Sequence, residues 1–176
     1  KFTAKSTNTT YEVLHDGQLL PEAAANGITY TVIDNANGSL ALTPLFFEQL
    51  EGGINTLDFE VTDNDNNTGK ASARVAVAKP VEIAAQDLWF GIADMSAIVT
   101  NPATTSVGVR YRLQGTSSWT TIAAQKGSDG YTYTARATDF KPGKTYECQL
   151  LENDSESGTV KTAATPAGVQ VPNAGF

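Results

Sequence analysis

The sequence predicts an all-β protein built as two tandem antiparallel β-sandwiches, and three observations carry that expectation. Apolar residues recur at every second position over several separate stretches. Clusters of Gly, Asn, Asp and Ser fall between these stretches at roughly eight- to twelve-residue intervals, the spacing of turns in a layered β fold. At 176 residues the chain exceeds the roughly 100 residues that one sandwich needs, and two units of about 80 to 90 residues lie within the range of independently stable domains.

In the first half, Ile28, Tyr30 and Val32 alternate with Thr29 and Thr31, the pattern of a half-buried strand. The Asn37-Gly38 pair makes a turn before a strand over 39–43. Residues 44–50 read as one short helix: Thr43 is placed to cap it, Pro44 suits its first position, and Gly52-Gly53 can end it. Leu57, Phe59 and Val61 then share one strand face, with Asp58, Glu60 and Thr62 on the other. A polar turn over 63–67 follows, because Asn and Asp tolerate left-handed backbone. Ala71, Ala73, Val75 and Val77 return on one face, with Ser72 and Arg74 opposite. This gives a first domain over residues 1–79. A short linker is expected over 80–85, since Pro80 cannot donate to a sheet ladder and stiffens a short connection.

The second domain spans 86–166. Val107, Val109, Tyr111 and Leu113 face one way, and Gly108, Arg110, Arg112 and Gln114 the other. A turn over 115–118 leads into a strand over 119–124, and a second turn over 126–130 leads into Tyr131, Tyr133, Ala135 and Ala137. Tyr146, Cys148 and Leu150 form the inward face of a further strand, and 158–163 supply the last. Residues 167–176 are either a tail or the start of a following domain.

Phe140-Lys141-Pro142-Gly143-Lys144-Thr145-Tyr146 resembles the fibronectin type III segment in which an apolar residue, a proline and a tyrosine recur at fixed offsets. The resemblance implies a tyrosine corner: Phe140 anchors the loop, Pro142 fixes the crossover, and the Tyr146 hydroxyl bonds to loop backbone. Tyr146-Glu147-Cys148 is similar to the immunoglobulin Tyr-x-Cys element without its partner cysteine, which implies a buried apolar thiol at Cys148. The stretch from Ser106 to Trp119 resembles the third strand of such modules and its following turn. Gly53-Ile54-Asn55-Thr56-Leu57, Phe59, Val61-Thr62-Asp63 and Asn67-Thr68 resemble the last hairpin of bacterial Ig-like repeats. Both halves are thus expected to be immunoglobulin/fibronectin-like. Val171-Pro172-Asn173-Ala174-Gly175-Phe176 resembles the opening of a carbohydrate-metabolism domain in Bacteroidetes surface lipoproteins, in which Ig-like modules precede that domain.

Several function classes are disfavoured. The formal charge of −7 and the lack of a Lys/Arg cluster oppose nucleic acid and anionic membrane as partners. No stretch reaches the ~20 apolar residues of a membrane span, so no membrane insertion is expected from these residues. The sequence starts at Lys1 with no leader, so a signal peptide is expected to have been removed or never to have existed. His15 is the sole histidine and Cys148 the sole cysteine, too few for a Ser-His-Asp or Cys-His site or for a zinc site. No catalytic residue, no cofactor and no enzymatic activity are expected.

Two binding candidates stand out. Asp63, Asp65 and Asn67 begin like a calcium loop of oxygen ligands, but Thr68 and Arg74 occupy the positions of its glycine and last glutamate. A polar hairpin turn is the favoured reading. Trp89, Phe90, Trp119, Tyr131 and Tyr133 could stack on sugars, although strand aromatics usually fill cores; Trp119, beside a Gly-Thr-Ser-Ser turn, is the candidate for an exposed platform. The expected function is a non-catalytic surface spacer or adhesion module of an exported bacterial lipoprotein, extracellular or on the outer-membrane surface and lipid-anchored in the full-length protein. Its partners would be a neighbouring domain of the same polypeptide and a glycan or surface protein. The alternative is a carbohydrate-binding module in a glycan-utilisation system.

Overall fold

The most regular alternation in the sequence produces the longest hairpin. In the computed structural model, which describes residues 2–5, 10–15, 18–19, 21–32, 38–62, 65–84, 88 and 91–168, β6 (Gly53–Thr62) and β7 (Thr68–Val77) pair without a break from Gly53 opposite Val77 to Thr62 opposite Thr68. Period-two patterning sends Leu57 inward, where it is buried, and leaves Asp58 outward to accept a hydrogen bond from the Ser72 hydroxyl at 2.8 Å.

The chain divides into two compact units, Lys1–Val77 and Ala78–Phe176. In the first, β1 (Phe2–Lys5) pairs with the free side of β6, while β2 (Thr10–His15) and β3 (Gln18–Leu19) extend the sheet to the order β3-β2-β1-β6-β7. A second layer is the hairpin of β4 (Ile28–Val32) and β5 (Gly38–Leu42) with two short helices, α1 (Pro21–Ala25) and α2 (Pro44–Glu48). Ala23, Ile28 and Phe46 from this layer meet Leu57 from the sheet in one core, with Phe59 and Val75 packed against it. Thr43 precedes α2 in extended conformation but makes no side-chain cap bond, and the helix stops at Glu48. α1 departs from the sequence expectation, which had no helix there. Gly27 lets α1 turn sharply into β4: its φ is +81°, and a Cβ would lie 2.5 Å from Thr43 Oγ1 and 2.6 Å from the Phe46 nitrogen.

The second unit consists of β8 (Lys79–Ala84), β9 (Ala93–Ile98), β10 (Val107–Leu113), β11 (Thr120–Ala123), β12 (Gln125–Lys126), β13 (Thr132–Ala137), β14 (Thr145–Glu152) and β15 (Ser155–Ala164). They form two four-stranded sheets, β12-β13-β9-β8 and β11-β10-β14-β15. With β8, β9, β10, β13, β14 and β15 read as strands A, B, C, E, F and G, the A-B-E and C-F-G division of an immunoglobulin-like sandwich emerges. Met95, Val81, Val109 and Cys148 are fully buried between the sheets, each apolar side chain there contributing roughly 1.5–3 kcal/mol. The all-β, two-sandwich expectation is met.

The expected linker over 80–85 is corrected by this topology. Residues 79–84 are β8, an edge strand paired with β9, and Val81 is completely buried. Pro80 is tolerated because it falls at the register shift between Lys79 and Glu82, on an edge where no ladder N–H is demanded. The division of units accordingly falls at Ala78. Among the described residues no helix is long and apolar enough to cross a membrane.

Candidate functional site

The loop between β13 and β14 is held by ring stacking and by hydrogen bonds at several points. Phe140, 3% exposed, stacks on Tyr146 with ring centroids 3.8 Å apart and planes 13° from parallel, and the Tyr111 ring meets it tilted by 46° at 5.3 Å. The Lys141 N–H donates to the Tyr146 hydroxyl oxygen at 2.8 Å. Thr165, buried beside this loop, accepts from the Lys144 N–H at 2.9 Å and donates to the Lys141 carbonyl at 2.6 Å. Pro142 sits at the exposed tip, and Gly143 donates its N–H to the Pro166 carbonyl at 3.0 Å. The Phe140 N–H reaches the carbonyl of Gly91, whose φ is +74°. Here tyrosine, loop and flanking strand ends form one closed knot.

Two titratable groups of this core are displaced. Burial, reinforced by the hydrogen bond that its hydroxyl donates to Asp139 at 2.7 Å, pushes Tyr111 up to about 12. Burial likewise pushes the Cys148 thiol up to about 12. Neither group is set up as a nucleophile or base at neutral pH.

Trp119 belongs to a different environment. Alternate residues of β10 point away from the core, and the register sets Arg110 opposite Gln149 and Arg112 opposite Glu147. Arg112 Nε donates to Glu147 Oε2 at 2.6 Å; Arg110 donates to Gln149 Oε1 through Nε at 3.1 Å and Nη2 at 2.6 Å, and pairs with Glu156. Both guanidinium carbons lie 4.3 Å from the centre of the Trp119 ring. Alternate residues of a strand are ~6.6 Å apart, a gap that accommodates an aromatic ring between two planar cations. Trp119 is half-buried and engaged with both arginines, which compete with any sugar for its ring.

A hollow of about 420 Å³ opens at one end of the second unit, between the β9–β10 loop and the turn that precedes β13. Val99, Thr100, Asn101, Pro102, Thr104, Lys126, Asp129, Gly130, Tyr131 and Tyr133 line it. Tyr131 is 45% exposed, whereas Tyr133 is half-buried with the Lys126 ammonium 5.7 Å from its ring centre. Tyr131 alternates along the sequence with Tyr133, Ala135 and Ala137, of which the two alanines are buried. It escapes burial because it lies past the start of β13, where the core opens to the surface.

Asp63, Trp89 and Phe90 lie outside the described residues. Asp65 and Asn67 occupy an exposed turn, with Asn66 between them at φ 63°. Among the described residues no group of three or more His, Cys, Asp and Glu is placed to hold a metal ion.

No family model and no curated protein matches the chain. Among solved structures it is similar to that of the titin domains z1z2 in complex with telethonin, at 14% identity and a TM-score of 0.25, over 96% of this chain and 82% of that one. The fold assignment therefore stands on the strand order itself.

Proposed function

We propose that the chain is a non-catalytic pair of modules from an exported bacterial lipoprotein, holding a neighbouring domain away from the cell envelope and serving adhesion or interaction there. One observation carries this reading: in the second unit the platform candidate Trp119, the corner residue Tyr146 and the thiol of Cys148 are all engaged in holding the sandwich together. Trp119 rests on Arg110 and Arg112, both arginines face Glu147, Gln149 or Glu156, Tyr146 closes its own loop, and Cys148 is fully buried. A sandwich organised in this way is stiff and protease-resistant, which is what spacing requires. The resemblance of residues 171–176 to the opening of a lipoprotein domain supports the surface location. The platform form of the glycan-binding alternative, resting on Trp119, is weakened by the two guanidiniums against its ring.

The test has two parts. An antibody against the chain should label intact source cells, and signal confined to the cytosolic fraction would refute the surface location. In the parent protein, exchanging the pair for an unrelated sandwich pair of equal length should preserve display of the neighbouring domain. Failure of that exchange, with expression unchanged, would show that this chain's own surface is required and would sink the spacer role.

A further inference from the structure

We infer that the hollow around Tyr131 is a carbohydrate site that takes one or two sugar rings. This goes beyond the spacer role and stands independently of it, since a pair that binds no sugar can still space a neighbour. A sugar ring presents an apolar C–H face and a rim of hydroxyls. The hollow offers both kinds of surface: the exposed Tyr131 and the half-buried Tyr133 line it together with Asn101, Lys126 and Thr104, whose hydroxyl donates to Glu152 at 2.6 Å and keeps its acceptor lone pairs. Its size of about 420 Å³ falls in the range of small-molecule pockets, roughly 300–1,000 Å³.

The walls are held before any ligand arrives. Asn101 Oδ1 accepts the Ala103 N–H at 3.0 Å, fixing the β9–β10 loop at one end. Asn153 Oδ1 fixes its other end, accepting from the N–H groups of Thr105 at 2.8 Å and Ser106 at 3.2 Å. On the opposite wall the Asp129 carboxylate accepts the N–H groups of Tyr131 at 2.9 Å and Thr132 at 2.8 Å, together with the Thr132 hydroxyl at 2.6 Å. Binding thus requires little loop ordering, the largest avoidable cost of recognition. A protein partner fits less well. Among the described residues the exposed large hydrophobics are Leu45, Tyr131 and Val160, so this end of the unit shows a single exposed apolar ring, far short of the apolar centre of a standard interface.

The probes are soluble β-glucan, xylan, mannan, arabinan and homogalacturonan, each cast into a native gel through which the full chain is run. At least one should retard the chain. Tyr131→Ala should weaken that retardation about tenfold, and Tyr131→Trp should restore it. Tyr131 is not part of the buried core of the second unit, so the alanine variant should still unfold in a cooperative transition. Amide NMR of the wild-type chain with the retarding polysaccharide should shift signals within 99–104 and 126–133. No retardation by any of the five, retardation indifferent to Tyr131→Ala, or shifts confined to β10 and β14 would each overturn the assignment.

Discussion

Replacing Tyr146 by Phe removes a single oxygen from the second unit and leaves its packing in place. The ring keeps its stack on Phe140, 3.8 Å away, so the change isolates the bond from the Lys141 N–H. A net intramolecular hydrogen bond contributes about 0.5–1.5 kcal/mol, and an amide left buried without a partner costs about 1–3 kcal/mol. Lys141 is exposed, so its freed amide can turn toward water, and the expected loss is near 1 kcal/mol rather than 3. For a unit of this size that lowers the melting temperature by roughly 4–8 °C. Differential scanning calorimetry of the whole chain should show the transition of the second unit moving by that amount while that of the first stays put. Phe140→Ala provides the scale, because loss of the stacked ring costs roughly 3–5 kcal/mol. An unchanged scan for Tyr146→Phe, or a shift as large as that of Phe140→Ala, would show that the hydroxyl does not close the loop as described.

Three further outcomes follow from the same geometry. Gly27→Ala should lower only the first transition and Gly91→Ala only the second. Each places a Cβ on left-handed backbone, costing about 1–2 kcal/mol, and within 2.5 Å of Thr43 Oγ1 or the Phe140 carbonyl oxygen respectively; calorimetric scans that move together would contradict two separate cores. The raised Tyr111 implies an alkaline limb: a neutral phenol whose folded pKa exceeds its unfolded value stabilises fully below pH ~10, and that stabilisation is lost as pH rises toward 12. Urea titrations between these limits should show the second unit weakening, and Tyr111→Phe should flatten the slope; an unaltered slope would remove the Tyr111–Asp139 bond from the account. Cys148, at 0% exposure, should react with an aromatic disulfide reagent only as fast as the second unit opens, and rapid labelling in native buffer would place the thiol elsewhere.

Sequence patterning was a good guide wherever one face of a strand is buried and the other wet. Val107, Val109 and Tyr111 are buried while Arg110 and Arg112 are only partly covered, as alternation demands. It misled where neighbours override the period. Gln149 and Leu151 of β14 are buried although they point outward, because β14 lies between β10 and β15 and Gln149 is held in the Arg110–Glu156 network. Pro80 suggested a linker because a proline opposes sheet pairing, yet an edge strand imposes that demand on one side only. The signals for α1 are legible in the sequence: Pro21 at its first position, Glu22 in the first turn and Gly27 just beyond its end. The same is true of Asn153-Asp154, both at positive φ, which form the two-residue turn between β14 and β15.

What composition could not separate was Trp119 from Tyr131. Each follows a glycine-containing polar turn, and each is aromatic at the mouth of a strand. The difference lies in what the fold sets beside them. Trp119 lands just before the edge strand β11, beside β10, where the long arms of Arg110 and Arg112 reach its ring from alternate positions of one strand. Tyr131 lands at the end of the sandwich, where its carbonyl accepts the Val99 N–H at 3.0 Å and, among the described residues of the second unit, no strand continues above it to supply a covering side chain. Long charged side chains lie down on sheet faces and occupy the aromatic rings they find there. At a sandwich end the only available cover is loop, and here both loops are tied to themselves by Asn101 and Asp129 rather than folded over the ring. In a sandwich of this kind an open ring face is therefore to be sought at the ends of strands, on loops that a rigid double layer holds still.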